Sequence, residues 1–362
     1  MQGKHASNNY NVEKSAKREP RKKRTGLKVF GIIVLVLIII LVAIIGATYW
    51  YITDKLGKIQ HVDIDISQLD ISEEAEKNLS GFRNIALFGI DSRSIDDYGE
   101  GNRSDCIIIA SINNSTKEVK LLSVYRDTYV QIEGHGLDKI THAYSYGEAP
   151  LAISTLNTNL DLNIKEFVTV NFDAVAEAIN ALGGVTIDVE QEEVKYINSY
   201  INETSNVTGI ETSRISGPGR QTLDGIQAVA YARIRYTSGG DYKRTERMRT
   251  VVEAMFDKLK TKSIGEINSF ADKVLPLIYT NIDSGEMISM IPDLMSYKIT
   301  DSIGWPYDTK GITLDRWYGV PVTLESNVSE LHKELFGEEN YTPSSTVQEI
   351  SNKIVTKTGY RQ

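Results

Sequence analysis

The chain is almost free of cysteine, and this limits how it can be stabilised. Among its 362 residues Cys106 is the single cysteine, so no disulfide can form within the chain. The cysteine also lies far from the N-terminal apolar segment, where a lipid attachment site would be expected. A chain of this length can fold on a hydrophobic core alone. Such sparing use of cysteine is typical of a bacterial envelope protein without structural disulfides.

Positive charge is scarce outside the N-terminal tail. The chain carries 40 Lys and Arg against 48 Asp and Glu, a net charge of −8. Residues 1–28 hold nine Lys and Arg and two Glu, a net charge of +7, so the remainder carries about −15. An acidic domain argues against nucleic acid as a partner, because phosphate backbones are bound by basic faces. The tail is interpreted as a topology signal that contacts lipid.

Long apolar runs are also rare, and one stands out. Val29–Ile52 comprises 24 uncharged residues, mostly Ile, Leu and Val, and Arg21–Arg24 and Lys28 precede it. At about 1.5 Å per residue, a helix of this length crosses a hydrocarbon core of roughly 30 Å. The run is too long for a cleaved signal peptide, and it is too apolar on every side for a surface helix. Because basic flanks stay in the cytoplasm, we expect a single-pass protein of the cell membrane with its main domain outside.

The remaining chain reads as one folded domain between two less regular segments. We expect an acidic connector at 53–82, a domain at 83–300, and a C-terminal extension at 301–362 that docks on the domain or contacts partners. From Arg83 short apolar runs alternate with helical stretches. This pattern predicts an α/β fold (mixed α-β-α), with a central mostly antiparallel or mixed sheet flanked by helices and preceded by one transmembrane helix. Trp305 and Trp317 in the extension are interpreted as packing residues.

Turn and capping signals place the individual elements. Asp173 is a candidate cap for a helix that ends at Leu182, before Gly183-Gly184. Asp224 opens a further helix, which runs to about Tyr231. A last helix covers about 241–260, and the predicted strands are 84–90, 105–112, 119–124, 167–171 and 185–189.

Charged residues follow or precede the first three strands. If these strands form an antiparallel meander, Asp91, Asp105 and Arg126 fall at the same end of the sheet, with Arg103 close by. Two carboxylates and two arginines at one edge are compatible with a surface ion-pair network. They are also compatible with a site in which carboxylates hold a hard cation and arginines bind phosphate oxygens.

A second basic group lies between residues 233 and 248. Arg233 and Arg235 share one face if the backbone there is extended. Arginine clusters suit bidentate recognition of phosphate better than lysines do. Arg244 and Arg247 are open to a simpler interpretation, namely ion pairs on a helix surface with Asp241 and Glu246. Met248 follows Arg244 at helical spacing.

Taken together in this order, these segments resemble the LytR-CpsA-Psr family of bacterial envelope proteins. The resemblance covers roughly residues 83–300 and extends to the type of anchor. The segments that carry it are 84–91 (NIALFGID), 103–105 (RSD), 123–127 (SVYRD), 182–185 (LGGV) and 225–235 (GIQAVAYARIR).

The resemblance implies a phosphotransferase that moves a phosphate-linked glycopolymer, such as teichoic acid or capsular polysaccharide, from a polyprenyl-pyrophosphate carrier to peptidoglycan. It implies that Asp91 and Asp105 bind Mg²⁺ or Mn²⁺, and that Asp91 and Arg126 are catalytic. Asp91 is the candidate to accept or orient the acceptor's proton. Asp241, Arg247 and Met248 are implied as supporting residues. The residues implied to bind the pyrophosphate are Arg103, Arg126, Lys139, Arg233, Arg235 and Arg244.

Two residues qualify this assignment. Lys139 also reads as an ordinary solvated surface lysine. Met248 stands where the family usually has glutamine, and a thioether offers almost no hydrogen bonding to phosphate. Two other functions fit the same residues: hydrolysis by a lipid pyrophosphatase, and binding of the carrier by a non-catalytic envelope receptor or regulator.

Overall fold

The structure is a computed structural model that describes residue 51 and residues 53–92, 97–290 and 293–361. The basic tail and nearly all of the predicted membrane segment at 29–52 lie outside these residues. Within the described part, none of the helices has the length and apolar character needed to span a membrane. The compact unit considered below is Ile52–Gln362.

A mixed seven-stranded sheet forms the centre of this unit. The described strands are β1 Gln60–His61, β2 Phe82–Ile90, β3 Ser104–Asn113, β4 Glu118–Val124, β5 Tyr129–Ile132, β6 Gly136–Lys139, β7 Glu166–Val170, β8 Val185–Val189, β9 Gly219–Leu223, β10 Tyr279–Thr280, β11 Lys298–Trp305, β12 Thr309–Thr313 and β13 Trp317–Pro321. The order in the central sheet is β1-β10-β7-β2-β3-β4-β11. As predicted, β2, β3 and β4 form an antiparallel meander. Two parallel neighbours flank it, β7 beside β2 and β11 beside β4.

Helices cover both faces of the sheet. Because side chains alternate along a strand, β3 sends Ile107 and Ile109 into one apolar cluster and Ile108 and Ala110 into another. This confirms the predicted α/β architecture with a central mixed sheet between helices. The helices are α1 Glu73–Asn78, α2 Thr141–Leu160, α3 Phe172–Ala181, α4 Gln191–Thr208, α5 Gly225–Ala232, α6 Gly240–Lys260, α7 Ile264–Val274, α8 Ser284–Met290, α9 Leu324–Phe336 and α10 Ser345–Thr358.

A third apolar cluster lies beside the sheet and joins α3, α4, α5 and the two-stranded β8–β9 sheet. Asp224 caps α5 as predicted, since its side chain accepts the N–H of Gln227. The prediction that Asp173 caps α3 is wrong. Strand β7 ends at Val170, which places Asn171 at the cap position, where its side chain accepts the N–H of Ala174 at 2.9 Å.

The central sheet extends beyond the segment 83–300. Gln60–His61, in the expected connector, pairs with β10 at one edge. At the other edge Lys298–Trp305 crosses the expected boundary at residue 300 and pairs with β4. Helices α9 and α10 contribute to the apolar cluster on α2. Both flanking segments therefore supply parts of the same folded unit.

Candidate functional site

The antiparallel meander brings Asp91, Asp105 and Arg126 together at one end of its strands. Asp91 follows β2, and its Oδ1 accepts the backbone N–H of Arg103 at 2.8 Å. Asp105 lies at the start of β3, and Arg126 follows β4 and donates a hydrogen bond to the Asp105 carboxylate. These residues are distant in the sequence, but they meet because three strands begin or end at the same end of the sheet.

A cavity of about 690 Å³ opens at this end of the sheet, and we call it the arginine pocket. It contains both predicted carboxylates and five of the predicted arginines, and Met248 also lies in its wall. Its lining residues are Asp91, Ser92, Arg103, Asp105, Arg126, Phe172, Tyr196, Ser199, Tyr200, Glu203, Arg233, Arg235, Tyr236, Arg244 and Met248.

Asp105 is the centre of the arginine group. Its Oδ1 accepts a hydrogen bond from Arg126, while its Oδ2 lies 3.1 Å from Nη2 of Arg235 and 3.6 Å from Nη1 of Arg244. One carboxylate thus contacts three guanidinium groups, and the pocket lining as a whole carries five arginines against three carboxylates. The remaining positive charge favours an anionic ligand.

Two of these arginines are largely removed from water. Arg244 is 1% exposed, and burial lowers the pKa of its guanidinium although Asp241 and Asp105 attract it. Burial also lowers the pKa of the Arg126 guanidinium, but the nearby carboxylates of Asp105 and Asp127 outweigh this effect, so the pKa is raised overall. Both groups stay charged, since arginine is effectively always protonated. Among the described residues, neither buried Nε finds a hydrogen-bond acceptor.

Arg233 also lines the pocket, where it contacts helix α4. It ends α5 with helical backbone angles, so the condition of an extended backbone at this position is not met. Its guanidinium donates to Thr204 Oγ1 at 3.0 Å and to Glu203 Oε1 at 2.7 Å. The guanidinium carbon also lies 5.0 Å from the ring centroid of Phe172. Arg233 and Arg235 therefore reach one cavity from different directions.

Helix α4 supplies a wall of the pocket that the sequence interpretation missed. Tyr196, Ser199, Tyr200 and Glu203 line the pocket from this helix. Their spacing of three and four residues places them on a single helix face, and this was the available signal. Phe172 at the start of α3 adds a further aromatic ring.

Lys139 lies outside the arginine pocket. It lines a neighbouring cavity of about 190 Å³ together with Arg103 and Arg126. Its Nζ is 2.7 Å from Oδ1 of Asp127, and its side chain is 16% exposed. The lysine is thus held in an ion pair beside the site, and it is not an ordinary solvated surface residue.

Arg247 is a structural residue. It is 1% exposed, and its Nε lies 2.6 Å from Glu193 Oε1. Its Nη1 donates to Ile234 O at 3.2 Å and its Nη2 to Thr237 Oγ1 at 2.7 Å. The expected surface pairing with Asp241 and Glu246 is wrong for Arg247, because the residue points inward. For Arg244 the pairing is confirmed in part, as its Nη2 lies 2.8 Å from Asp241 Oδ1.

The chemistry of the donor groups limits the kind of metal site that is possible. Across the described ranges, no three His, Cys, Asp or Glu side chains come together as metal ligands. Three carboxylates line the pocket: Glu203 is paired with Arg233, and Asp91 and Asp105 lie at the strand ends. Mg²⁺ characteristically takes one or two carboxylates and completes its shell with water and substrate phosphates. The two aspartates fit such a site when a phosphate ligand supplies further oxygens.

Known proteins resemble this chain over most of its length. The LytR_cpsA_psr family model matches residues 48–316. The polyisoprenyl-teichoic acid–peptidoglycan teichoic acid transferase TagT of Bacillus subtilis is 31% identical over 302 residues, which cover 81% of this chain and 91% of the relative. The corresponding TagU of Enterococcus faecalis is 30% identical over 279 residues, which cover 75% of this chain and 84% of the relative.

Solved structures of related proteins also resemble this chain. A structure of TagT bound to LI-WTA shares 25% identity at a TM-score of 0.56 and covers 76% of this chain and 93% of that one. A structure of TagV of B. subtilis shares 27% identity at a TM-score of 0.56 and covers 72% of this chain and 98% of that one. With its sheet, its arginine pocket and a family match over residues 48–316, the chain belongs to the LytR-CpsA-Psr family.

Proposed function

We propose that the chain transfers a phosphate-linked glycopolymer, a teichoic acid or another wall or capsular polysaccharide, from a polyprenyl-pyrophosphate carrier to peptidoglycan. The observation that carries the proposal is the grouping of Arg126, Arg235 and Arg244 around the single carboxylate of Asp105. The relatives TagT and TagU, which carry the name of this activity, support it.

The pocket is suited to a ligand with several negative charges. Guanidinium groups bind phosphate oxygens through paired hydrogen bonds. In the structure Asp105 holds three of them in place, so they are already oriented before a ligand arrives. Preorganised charge of this kind stabilises the charge that moves to the leaving phosphate during transfer.

The proposed Mg²⁺ or Mn²⁺ would be held by Asp91 and Asp105 together with pyrophosphate oxygens. A bound divalent ion neutralises phosphate charge and polarises the phosphoryl group. Both oxygens of Asp105 contact arginines in the structure. Ligand phosphates that draw these arginines away would free the carboxylate, so we expect pyrophosphate and metal to bind cooperatively.

The transfer step forms one bond and breaks another. A peptidoglycan sugar hydroxyl attacks the phosphorus on the polymer side of the pyrophosphate. The bond between that phosphorus and the bridging oxygen breaks, and polyprenyl phosphate leaves with the electron pair. The hydroxyl proton passes to Asp91, which is exposed at the end of β2. Arg126 and Arg244 face the charge that develops on the leaving phosphate.

The proposed location suits this substrate. The carrier's tail is buried in the membrane, so the headgroup is confined to the membrane surface. We propose that the segment 29–52 anchors the chain there as a single helix, with a cytoplasmic N-terminus and the catalytic unit outside. Tethering both partners to one surface raises their effective concentration without tight binding.

The test uses the full chain in nanodiscs with a lipid-linked pyrophosphate donor and Mg²⁺. We expect release of polyprenyl phosphate to depend on added peptidoglycan and polymer to become attached to it. Equal turnover without peptidoglycan would instead identify a lipid pyrophosphatase, and binding without turnover would identify a receptor. The Asp91→Ala variant should bind donor but fail to transfer; attachment by that variant would contradict the role given to Asp91.

A further inference from the structure

A second cavity of about 200 Å³ lies beside the arginine pocket, and we call it the aromatic pocket. Three aromatic rings and a proline line it, namely those of Tyr125, Tyr242, Trp317 and Pro306. Two aspartates, two threonines and three glycines complete the lining: Asp127, Asp241, Thr128, Thr309, Gly239, Gly240 and Gly319. The function proposed above assigns no role to this cavity.

The ring of Trp317 is held in a fixed position by a hairpin. Strands β12 and β13 pair with Gly311 opposite Gly319. The indole packs directly over Gly311, where an added Cβ would come within 2.8 Å of Nε1. Trp317 is nevertheless 45% exposed, whereas Trp305 is completely buried. The interpretation as packing residues thus holds for Trp305, while the structure presents Trp317 to the pocket.

The hairpin is attached to the chain segment that carries the arginine pocket. The N–H of Gly319 donates to the carbonyl of Asp127 at 2.9 Å, directly after Arg126. On the opposite side Tyr242 packs edge-on against Tyr125 with centroids 4.4 Å apart. The two pockets therefore share one rigid framework.

Polar residues also line the aromatic pocket, among them Asp241 and Thr309. Asp241 binds Arg244 through Oδ1, and its buried Oδ2 has no hydrogen-bond partner among the described residues. The buried Oγ1 of Thr309 is likewise unpaired within this part of the chain. Buried polar atoms are normally paired, so a ligand hydroxyl that reaches either side chain would supply the partner that it lacks.

We propose that the aromatic pocket binds a sugar ring of the acceptor glycan. A pyranose presents a C–H face that packs on aromatic rings and an edge of hydroxyls that pairs with groups such as Asp241 Oδ2 and Thr309 Oγ1. The carboxylate disfavours the phosphate-bearing donor polymer and a lipid tail. This inference rests on the proposed transfer reaction and locates the second substrate.

The location has a mechanistic consequence. Asp241 links the two cavities, because its Oδ1 binds Arg244 of the arginine pocket and the residue itself lines the aromatic pocket. A sugar bound beside Asp241 would hold its hydroxyls next to the phosphate-binding group. Positioning of this kind lowers the entropic barrier of a two-substrate reaction.

A binding experiment without donor tests the site separately from transfer. Soluble peptidoglycan glycan fragments are titrated into the full chain in nanodiscs while acrylamide quenching of tryptophan fluorescence is measured. We expect the fragments to protect the exposed Trp317, and we expect this protection to vanish in Trp317→Phe. Protection that is unchanged in Trp317→Phe, or absent in the wild type, would overturn the proposal.

Kinetics then distinguish the acceptor from the donor. Trp317→Ala should raise KM for the glycan fragment about tenfold and leave KM for the lipid donor unchanged. Trp317→Phe should restore most of the affinity. Leu314→Ala is the matched control, since Leu314 lies in the same hairpin and is 38% exposed but does not line the pocket.

Thr309→Val removes the unpaired hydroxyl at nearly constant shape, so folding should be retained while affinity for the fragment falls several-fold. A change in donor KM instead of acceptor KM would assign the pocket to the donor sugar and overturn the proposal. If the wild type binds fragments through Trp317 yet transfers nothing, the proposed reaction fails while the sugar site stands.

Discussion

Arg247 and Arg235 have the same side chain but opposite roles, and matched substitutions separate them. Arg247 is 1% exposed and bonds to Glu193, Ile234 and Thr237. Arg235 is 40% exposed in its side chain and contacts Asp105 from the pocket. We therefore expect Arg247→Leu to affect folding and Arg235→Leu to affect ligand binding.

The size of the first effect follows from burial. In Arg247→Leu the Glu193 carboxylate, 2% exposed, would remain in the interior without its partner. Breaking a buried ion pair by removing one member costs about 3–5 kcal/mol. For a unit of 311 residues, with an unfolding entropy of about 2.1 cal/mol/K per residue, this corresponds to a fall in Tm of roughly 5–8 °C. Arg235→Leu should change stability by no more than about 0.5 kcal/mol, since its pair is partly exposed and its removal relieves repulsion among neighbouring arginines.

Thermal unfolding with and without a soluble short-chain prenyl pyrophosphate measures both effects. The wild type and Arg247→Leu should both gain Tm on adding ligand, although Arg247→Leu starts lower. Arg235→Leu should start near the wild type and gain little, because ligand stabilises only by binding the folded state.

The double variant Arg247→Leu/Glu193→Leu provides the control. It should be more stable than the sum of the single losses, because neither charge is then left buried alone. A wild-type Tm for Arg247→Leu, or a large loss of Tm for Arg235→Leu, would refute the division into structural and ligand-binding arginines.

Three further predictions concern the pocket, the metal and the C-terminal helices. Met248→Gln should tighten prenyl pyrophosphate binding about fivefold in calorimetry, because an amide in the pocket wall can donate to phosphate; unchanged affinity would show that position 248 does not contact it. Chelation with EDTA should abolish transfer, and Mg²⁺ or Mn²⁺ should restore it except in Asp91→Asn; full activity in EDTA would contradict the metal proposal. Burial lowers the pKa of His332, whose Nε2 lies 3.0 Å from Leu160 O, so the fold favours its neutral form. The free energy of unfolding, measured by urea titration, should therefore fall as pH drops below about 6.5, and His332→Gln should flatten this dependence.

The sequence predicted the end of the sheet at which the site lies. Short connections between apolar runs favoured an antiparallel meander, and the meander placed Asp91, Asp105 and Arg126 together. The structure confirms this arrangement, down to the hydrogen bond between Arg103 and Asp91. Local pattern was sufficient here because the residues lie at strand ends, whose relative positions follow from strand order alone.

Partners that depend on packing between distant elements could not be predicted. The ion pair of Arg247 joins α6 to Glu193 in α4, and no periodicity connects those helices. The pairing of Lys139 with Asp127 depends in the same way on how the β5–β6 hairpin folds back. For Arg247 a local rule offered Asp241 and Glu246 as partners, and burial selected the distant Glu193.

The arrangement of the arginines gives the ligand a structural role as well as a chemical one. Arg233 is held by Thr204 and Glu203 of α4, within the part of the unit that has its own apolar cluster. Arg126 is held by Asp105 on the central sheet. A pyrophosphate that contacts both walls must bridge the two apolar clusters across the cavity. Binding energy from the donor would then fix the distance between α4 and the sheet, and the phosphate would reach its reactive position only when both walls engage it.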